Sequence, residues 1–146
     1  MNKIAEDLYY KEYNKLVKKY NKQAKSNLFL NKICKKLFGK KYIGTFPSDR
    51  IPRLKNNNYT IINLDDSSLP GSHWVAIAKK TNKTYIYDSF GRKTQKILPS
   101  IYGSGNKNIY MTDPDINQKN DSSCALHCIS WLIICDKYGF EYSKHI

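Results

Sequence analysis

The chain has 146 residues, 40% of them hydrophobic, and a formal net charge of +13. This length fits one compact domain, residues 1–146, with an apolar core and no room for a second catalytic domain. The longest apolar stretch, Ala125 to Cys135, is far shorter than the ~20 residues that cross a bilayer, and the N-terminus lacks the apolar core of a signal peptide, so we expect an intracellular, non-secreted protein without a membrane partner.

The positive charge is concentrated in the N-terminal part of the chain. Residues 1–55 hold 15 of the 25 Lys and Arg and four of the 12 Asp and Glu, which gives +11 of the net +13. This asymmetry favours a polyanion as a partner of residues 1–55, with nucleic acid as the leading candidate. A solvated surface rich in Lys and Asn explains the same composition, since no nucleic-acid-binding motif of recognised spacing is present.

The four cysteines are Cys34, Cys124, Cys128 and Cys135. The last three lie in one predicted helix, so they cannot form the paired framework of a small secreted protein. No second Cys or His pair stands at zinc-ligand spacing. We therefore expect free thiols in a reducing compartment and no metal.

The first 40 residues favour helices. Apolar residues at helical spacing predict an amphipathic helix over residues 4–21 and a shorter one over Leu28 to Phe38, which Gly39 ends. The segment from Tyr42 to Arg53 contains Gly44, Pro47 and Pro52, and we predict that it is mostly loop.

The middle of the chain favours strands, and its last third a helix. We predict strands over Tyr59–Leu64, His73–Lys80, Thr84–Ser89 and Asn108–Thr112, a polar loop over Asp65–Ser72, a helical turn over Lys96–Tyr102 and a helix over Cys124–Lys137. Helices at both ends with strands between them indicate an α+β fold, with a mixed or antiparallel central sheet packed against the last helix.

Cys124 is the best candidate for a nucleophile. It follows a polar loop and Ser122-Ser123, either of which can cap the helix. The first turn of a helix offers unpaired N–H groups and a partial positive charge, both of which favour a thiolate. A cysteine inside an apolar helix is more often a core residue, and we assign that role to Cys128 and Cys135.

A base and a carboxylate stand where two antiparallel strands can bring them together. His73 begins one predicted strand and Asp88 closes the next, which indicates a histidine base oriented by an acid. A turn centred between Lys80 and Thr81 would place His73 opposite Asp88. A turn centred on Asn82-Lys83 would place Asp88 opposite Ile77 instead, so the pair requires the first register or a bulge.

Two further residues complete the candidate set. Gln118, six residues before Cys124, can donate to an oxyanion together with the backbone N–H of Cys124. His127, one turn after Cys124, is a rival base, but a residue on the same helix is poorly placed to reach the thiol from the substrate side. The residues together predict a cysteine protease.

Four segments resemble the adenovirus-type maturation proteases, the adenain-like family also carried by virophages and virus-like transposons. They are YTIINLDDSSLPGSHWVAIAKK (residues 59–80), TYIYDSFGR (84–92), QKNDSSCALHC (118–128) and YIGTFPSDRIP (42–52). The resemblance implies an adenain-like catalytic core over residues 42–138, and the basic helical segment over residues 1–40 precedes it. The chain departs from the family at Ala125, which replaces the usual Gly, and at Asp88, where the adenoviral enzymes have Glu.

By this resemblance Cys124 is the nucleophile, His73 the base, Asp88 the orienting acid and Gln118 the oxyanion donor. It implies cleavage of viral capsid or core precursor proteins during maturation, in the virion or at the intracellular site of assembly. No cofactor is required for the chemistry, and DNA and a viral peptide are candidate activators.

Two alternatives remain open. The first is a deconjugating protease that acts on a ubiquitin-like modifier, which the Asp88-Ser89 pair favours slightly. The second belongs to another class, a basic DNA-binding or capsid-binding protein with a vestigial site, and it predicts nucleic-acid affinity with a steep salt dependence.

Overall fold

The computed structural model describes residues 3–23, 25–64, 73–90, 109–111, 123–143 and 146. Within these ranges the chain forms four α-helices and a five-stranded mixed sheet. The helices are α1 (Lys3–Tyr20), α2 (Asn27–Phe38), α3 (Cys124–Tyr138) and α4 (Phe140–Ser143), and the strands are β1 (Tyr42–Pro47), β2 (Asn58–Asn63), β3 (Trp74–Lys80), β4 (Lys83–Tyr87) and β5 (Ile109–Met111). The α+β class predicted from the sequence is confirmed.

The predicted helices form with small differences in their ends. Ser26 caps α2 by accepting a hydrogen bond from the backbone N–H of Phe29 at 3.1 Å. Gly39 ends α2 with a φ of 61°, a left-handed value that favours glycine. The predicted loop over 65–72 and the predicted helical turn over 96–102 lie outside the described residues. None of the helices in the described ranges has the length and apolarity that crossing a membrane requires.

The sheet has the order β1-β2-β3-β4-β5. The central strands β2, β3 and β4 are antiparallel to one another, whereas β1 is parallel to β2 and β5 is parallel to β4. The start of β3 and the ends of β2 and β4 therefore lie at one end of the sheet, next to His73 and Asp88.

The prediction of mostly loop over Tyr42 to Arg53 is wrong for its first part, which forms β1. This strand is at the edge of the sheet, where a proline at the strand end removes no hydrogen bond from a neighbour. Gly44 has a φ of 130° and lies where the pairing with β2 shifts register. An irregularity of this kind is tolerated at an edge and hides the strand from pattern recognition.

Helix α3 lies between α1 and the sheet. It is apolar on all sides, and every residue from Cys124 to Cys135 is buried, which is expected for a helix covered by two layers. On β3, Trp74, Ala76 and Ala78 belong to the same core cluster as α3. The opposite face of the sheet carries a second, smaller apolar cluster: Ile62, Val75, Ile77 and Ile86.

Candidate active site

A two-residue turn sets the register of β3 and β4. Thr81 and Asn82 both have positive φ, 54° and 60°, and turns of this kind match the twist of the flanking strands. Lys80 pairs with Lys83, and Ala76 with Tyr87. Neither register considered from the sequence is adopted, because continuing this pairing by one step places Asp88 opposite Val75.

His73 and Asp88 nevertheless meet at the end of the hairpin. His73 immediately precedes β3, Asp88 immediately follows β4, and His73 Nε2 lies 2.6 Å from Asp88 Oδ1. The two side chains are 7% and 1% exposed. The His73 ring stacks on Phe90 with 4.4 Å between centroids, and the Phe90 N–H donates to Asp88 Oδ1 at 2.9 Å. The backbone register places Asp88 two residues away from His73 along the sheet, and the contact between their side chains bridges this distance.

The contact with Asp88 defines the chemistry of the imidazole. An ionised carboxylate only accepts hydrogen bonds, so Nε2 of His73 must carry the proton that it donates. In the neutral ring, Nδ1 then carries the lone pair. Nδ1 is buried and has no hydrogen-bond partner among the described residues, which is unusual for a buried polar atom. It is available as a proton acceptor.

Cys124 is the first residue of α3 and is 3% exposed. Burial raises the pKa of its thiol, and the charge of Asp88 acts in the same direction. Hydrogen bonds from the backbone N–H groups of Trp74, Ala125 and Cys124 itself oppose this rise in pKa. Because Trp74 directly follows His73, the structure brings Cys124 to the end of the sheet that carries His73 and Asp88.

Cys128 fixes the same helix face against β3. It is fully buried, and its Sγ donates to the backbone oxygen of Trp74 at 3.3 Å. Burial raises the pKa of Cys128 well above its usual range, so this thiol stays protonated. Cys34 and Cys135 are buried as well, and all four cysteines are free thiols, as the sequence predicts.

The predicted oxyanion donor, Gln118, lies outside the described residues. Ser123 occupies the N-cap position of α3, but its side chain makes no capping hydrogen bond. Its Oγ accepts instead from the Tyr13 hydroxyl at 3.0 Å. The N–H groups of Cys124 and Ala125 are thus directed toward the Cys124 sulfur rather than toward a capping side chain.

The rival base, His127, contacts a different part of the molecule. It is 2% exposed, its ring stacks on Tyr13 with 4.0 Å between centroids, and its Nδ1 is hydrogen-bonded to the Tyr9 hydroxyl. His127 therefore packs against α1, whereas Cys124 and Cys128 contact β3. This placement favours His73 over His127 as the base.

Several groups around the site were not identified from the sequence. They include the backbone N–H of Trp74 and the ring of Phe90, which lies in a turn. Residue type alone does not show where a backbone N–H or a turn side chain points. The sequence places Tyr13 only within the predicted helix over residues 4–21, because spacing along a helix does not show which hydroxyl partner lies across the fold. Among the described residues, no three His, Cys, Asp or Glu side chains are grouped as metal ligands.

Comparison with curated proteins shows similarity to a protein of Acanthamoeba polyphaga mimivirus that is described as a putative thiol protease. The identity is 30% over 120 residues, and the match covers 64% of this chain and 40% of the mimivirus protein. The chain thus spans less than half the length of that relative. No profile of a known protein family matches the chain. The chain is similar, over part of its length, to a viral protein of the thiol protease class.

Proposed function

We propose that this protein is a cysteine endopeptidase with an adenain-like catalytic core. The observation that carries the proposal is the buried His73–Asp88 pair: Nδ1 of His73 has no hydrogen-bond partner among the described residues and lies at the sheet end that Cys124 approaches. In this proposal Cys124 is the nucleophile, His73 the base and Asp88 the orienting acid. Similarity to a viral protein of the thiol protease class supports the same assignment.

The reaction follows from these roles. Nδ1 of His73 takes the proton of the Cys124 thiol, and the sulfur attacks the carbonyl carbon of the scissile peptide. The Cys124 N–H, with Gln118, holds the oxyanion. The imidazolium, stabilised by Asp88, protonates the leaving amine as the C–N bond breaks. Water, deprotonated by His73, then hydrolyses the thioester and regenerates the thiol.

The proposed substrates are capsid or core precursor proteins of a virus, cleaved in the virion or at the intracellular site of assembly. The viral origin of the relative and the resemblance of residues 42–138 to maturation proteases support this substrate class. The alternative within the same chemistry is the C-terminal tail of a ubiquitin-like modifier, which the Asp88-Ser89 pair favours.

A polyanion is the proposed partner of the N-terminal segment. All eight lysines of α1 and α2 are exposed, on faces that point away from the core: Lys3, Lys11, Lys15, Lys18, Lys19, Lys32, Lys35 and Lys36. A surface of this charge attracts nucleic acid through its phosphates. DNA, and a viral peptide beside it, are the proposed activators, and the chemistry itself needs no cofactor. The same surface is what a basic DNA- or capsid-binding protein with a vestigial site would present.

The test is a cleavage assay with the purified chain. Two substrates are offered separately, a viral capsid precursor and a ubiquitin-like precursor, each with and without double-stranded DNA. The Cys124→Ser variant is the negative control, and Cys34→Ala controls for loss of a buried thiol elsewhere. We expect the wild type and Cys34→Ala to cut the capsid precursor, and Cys124→Ser to be inactive.

Each other outcome selects an alternative. Cleavage of the ubiquitin-like precursor alone would assign the deconjugating activity. Salt-dependent DNA binding without any thiol-dependent cleavage would assign the basic binding protein and overturn the enzyme.

A further inference from the structure

The N-terminal helix α1 reaches the segment that carries Cys124. The Tyr13 hydroxyl donates to Ser123 Oγ at 3.0 Å, across 110 positions of the sequence. Ser123 immediately precedes Cys124, and its backbone oxygen accepts the N–H of His127 at 3.1 Å, a bond that starts α3. Tyr13 therefore contacts Ser123, the residue whose backbone oxygen accepts the first hydrogen bond of α3.

The same helix also reaches the segment that carries Asp88. Tyr9 is fully buried, and its hydroxyl lies 2.7 Å from that of Tyr87, the residue immediately before Asp88. The Tyr9 hydroxyl is also hydrogen-bonded to Nδ1 of His127 on α3. A phenol carries one proton, so Tyr9 can donate to at most one of these two partners. One oxygen atom thus links the end of β4 to α3.

We propose that Tyr9 and Tyr13 are positioning residues, which fix the Cys124 end of α3 relative to the Asp88 end of β4. Helix α1 is thereby a structural part of the active site, in addition to carrying the basic surface. This inference rests on the proposed function, because it assigns an effect on the reactivity of Cys124. Neither tyrosine is proposed to touch a substrate.

The hydroxyls have a role that apolar packing alone does not provide. A phenyl ring fills nearly the same volume as a phenol, so a Tyr→Phe change keeps the apolar contacts and removes only the hydrogen bonds. Apolar packing tolerates small shifts between elements more readily than hydrogen bonds do. Hydrogen bonds in a buried setting have a narrow range of length and angle, and a buried partner left unpaired is costly. A displacement of about 1 Å at reacting groups can lower a rate about 100-fold.

The experiment removes single oxygen atoms from the full chain. Tyr9→Phe and Tyr13→Phe are compared with Tyr20→Phe, which removes a hydroxyl from the end of the same helix, where the Tyr20 ring packs on Phe29. The readouts are the rate of Cys124 alkylation by iodoacetamide from pH 6 to 9, and kcat and KM in the cleavage assay. Circular dichroism at the assay temperature establishes that each variant is folded.

We expect Tyr9→Phe and Tyr13→Phe to lower the alkylation rate and kcat at least about tenfold while KM stays within about twofold of wild type. In Tyr20→Phe, the alkylation rate, kcat and KM should all stay within about twofold of wild type. Retention of wild-type alkylation and kcat in both folded variants would overturn the proposal. Equal losses in Tyr20→Phe would overturn it as well, because they would indicate a general effect of α1 on stability.

A paired removal guards against a variant that does not fold. Ser123→Ala combined with Tyr13→Phe removes both partners of this hydrogen bond, so neither oxygen is left facing the loss of the other. If the bond positions Cys124, the double variant is no slower than the slower single variant, whereas additive losses contradict the coupling. Because alkylation needs no substrate, a wild type that alkylates at Cys124 but cleaves nothing refutes the protease, and the alkylation comparison still decides the positioning role.

Discussion

The two nitrogens of the His73 imidazole have different surroundings. Nε2 of His73 lies 2.6 Å from a carboxylate oxygen of Asp88, whereas Nδ1 has no hydrogen-bond partner among the residues described. The carboxylate therefore does more than stabilise a positive charge, because it also determines which nitrogen can accept a proton. We therefore expect the direction of this hydrogen bond to affect kcat/KM as much as the charge of Asp88 does.

Replacing Asp88 by Asn tests this role directly. The Asn amide can donate to Nε2, which would move the ring proton to Nδ1, where it can no longer accept a proton from the thiol. We expect Asp88→Asn to lower kcat/KM on the order of 10²–10⁴-fold. Asp7→Asn, which neutralises an exposed carboxylate on α1, is the matched control and should retain activity. Equal activity of the two variants would remove Asp88 from the site.

His73, Asp88 and Cys124 could be proposed as site residues from the sequence because each lies at the end of an element. His73 follows a turn signal, Asp88 ends a run of β-formers, and Cys124 opens an apolar helix. Their protonation and long-range contacts could not be predicted, because these depend on groups brought in from other elements, such as the Trp74 N–H that reaches Cys124.

At the scale of the elements, the β3–β4 hairpin determines how far His73 and Asp88 are offset along the sheet. Registers that differ by two residues keep the same side chains on the same face of the sheet, so the alternation of apolar residues does not distinguish them. The turn decides, and here it consists of Thr81 and Asn82 in left-handed conformations. Threonine is a poor predictor of such a turn, because β-branched residues rarely adopt positive φ.

The same feature predicts a stabilising substitution. Thr81→Asn places a residue that tolerates positive φ at the first position of the turn, and we expect it to raise the free energy of unfolding by about 0.5–1 kcal/mol. Thr81→Val, which keeps the β-branch, should give no gain. Urea unfolding monitored by circular dichroism measures both. A loss of stability in Thr81→Asn would mean that the Thr81 side chain has a role that the backbone conformation does not explain.

At the scale of the whole molecule, α1, α3 and the sheet form successive layers. The sequence predicts the amphipathic α1 and the apolar α3 separately, since each has its own pattern. It does not predict that α1 covers α3, because that depends on contacts such as Tyr13 with Ser123, far apart in the chain.

Stability should fall at alkaline pH. Burial raises the pKa of Cys34 from 9.0 to about 12, and burial likewise raises the pKa of Tyr9 well above 10.0. The unfolded chain releases these protons at lower pH than the folded chain, so stability is at its full value below about pH 9 and is lost as the pH rises toward 12. Urea midpoints measured from pH 7 to 11 should decrease above pH 9. Cys34→Ala should show a weaker decrease, and a midpoint that stays constant to pH 11 would contradict the assigned burial.

The most direct test of the central claim is the rate of Cys124 alkylation by iodoacetamide as a function of pH, in wild type and in His73→Ala, with peptide mapping of all four cysteines. Because burial raises the pKa of the Cys124 thiol, the thiol without a base should react only as the pH rises above the usual thiol range. With His73 as proton acceptor, we expect wild type to react at pH 7 at least about tenfold faster than His73→Ala, with the label confined to Cys124. Equal rates in the two proteins at pH 7, or label spread over several cysteines, would contradict the assignment of Cys124 and His73 as nucleophile and base.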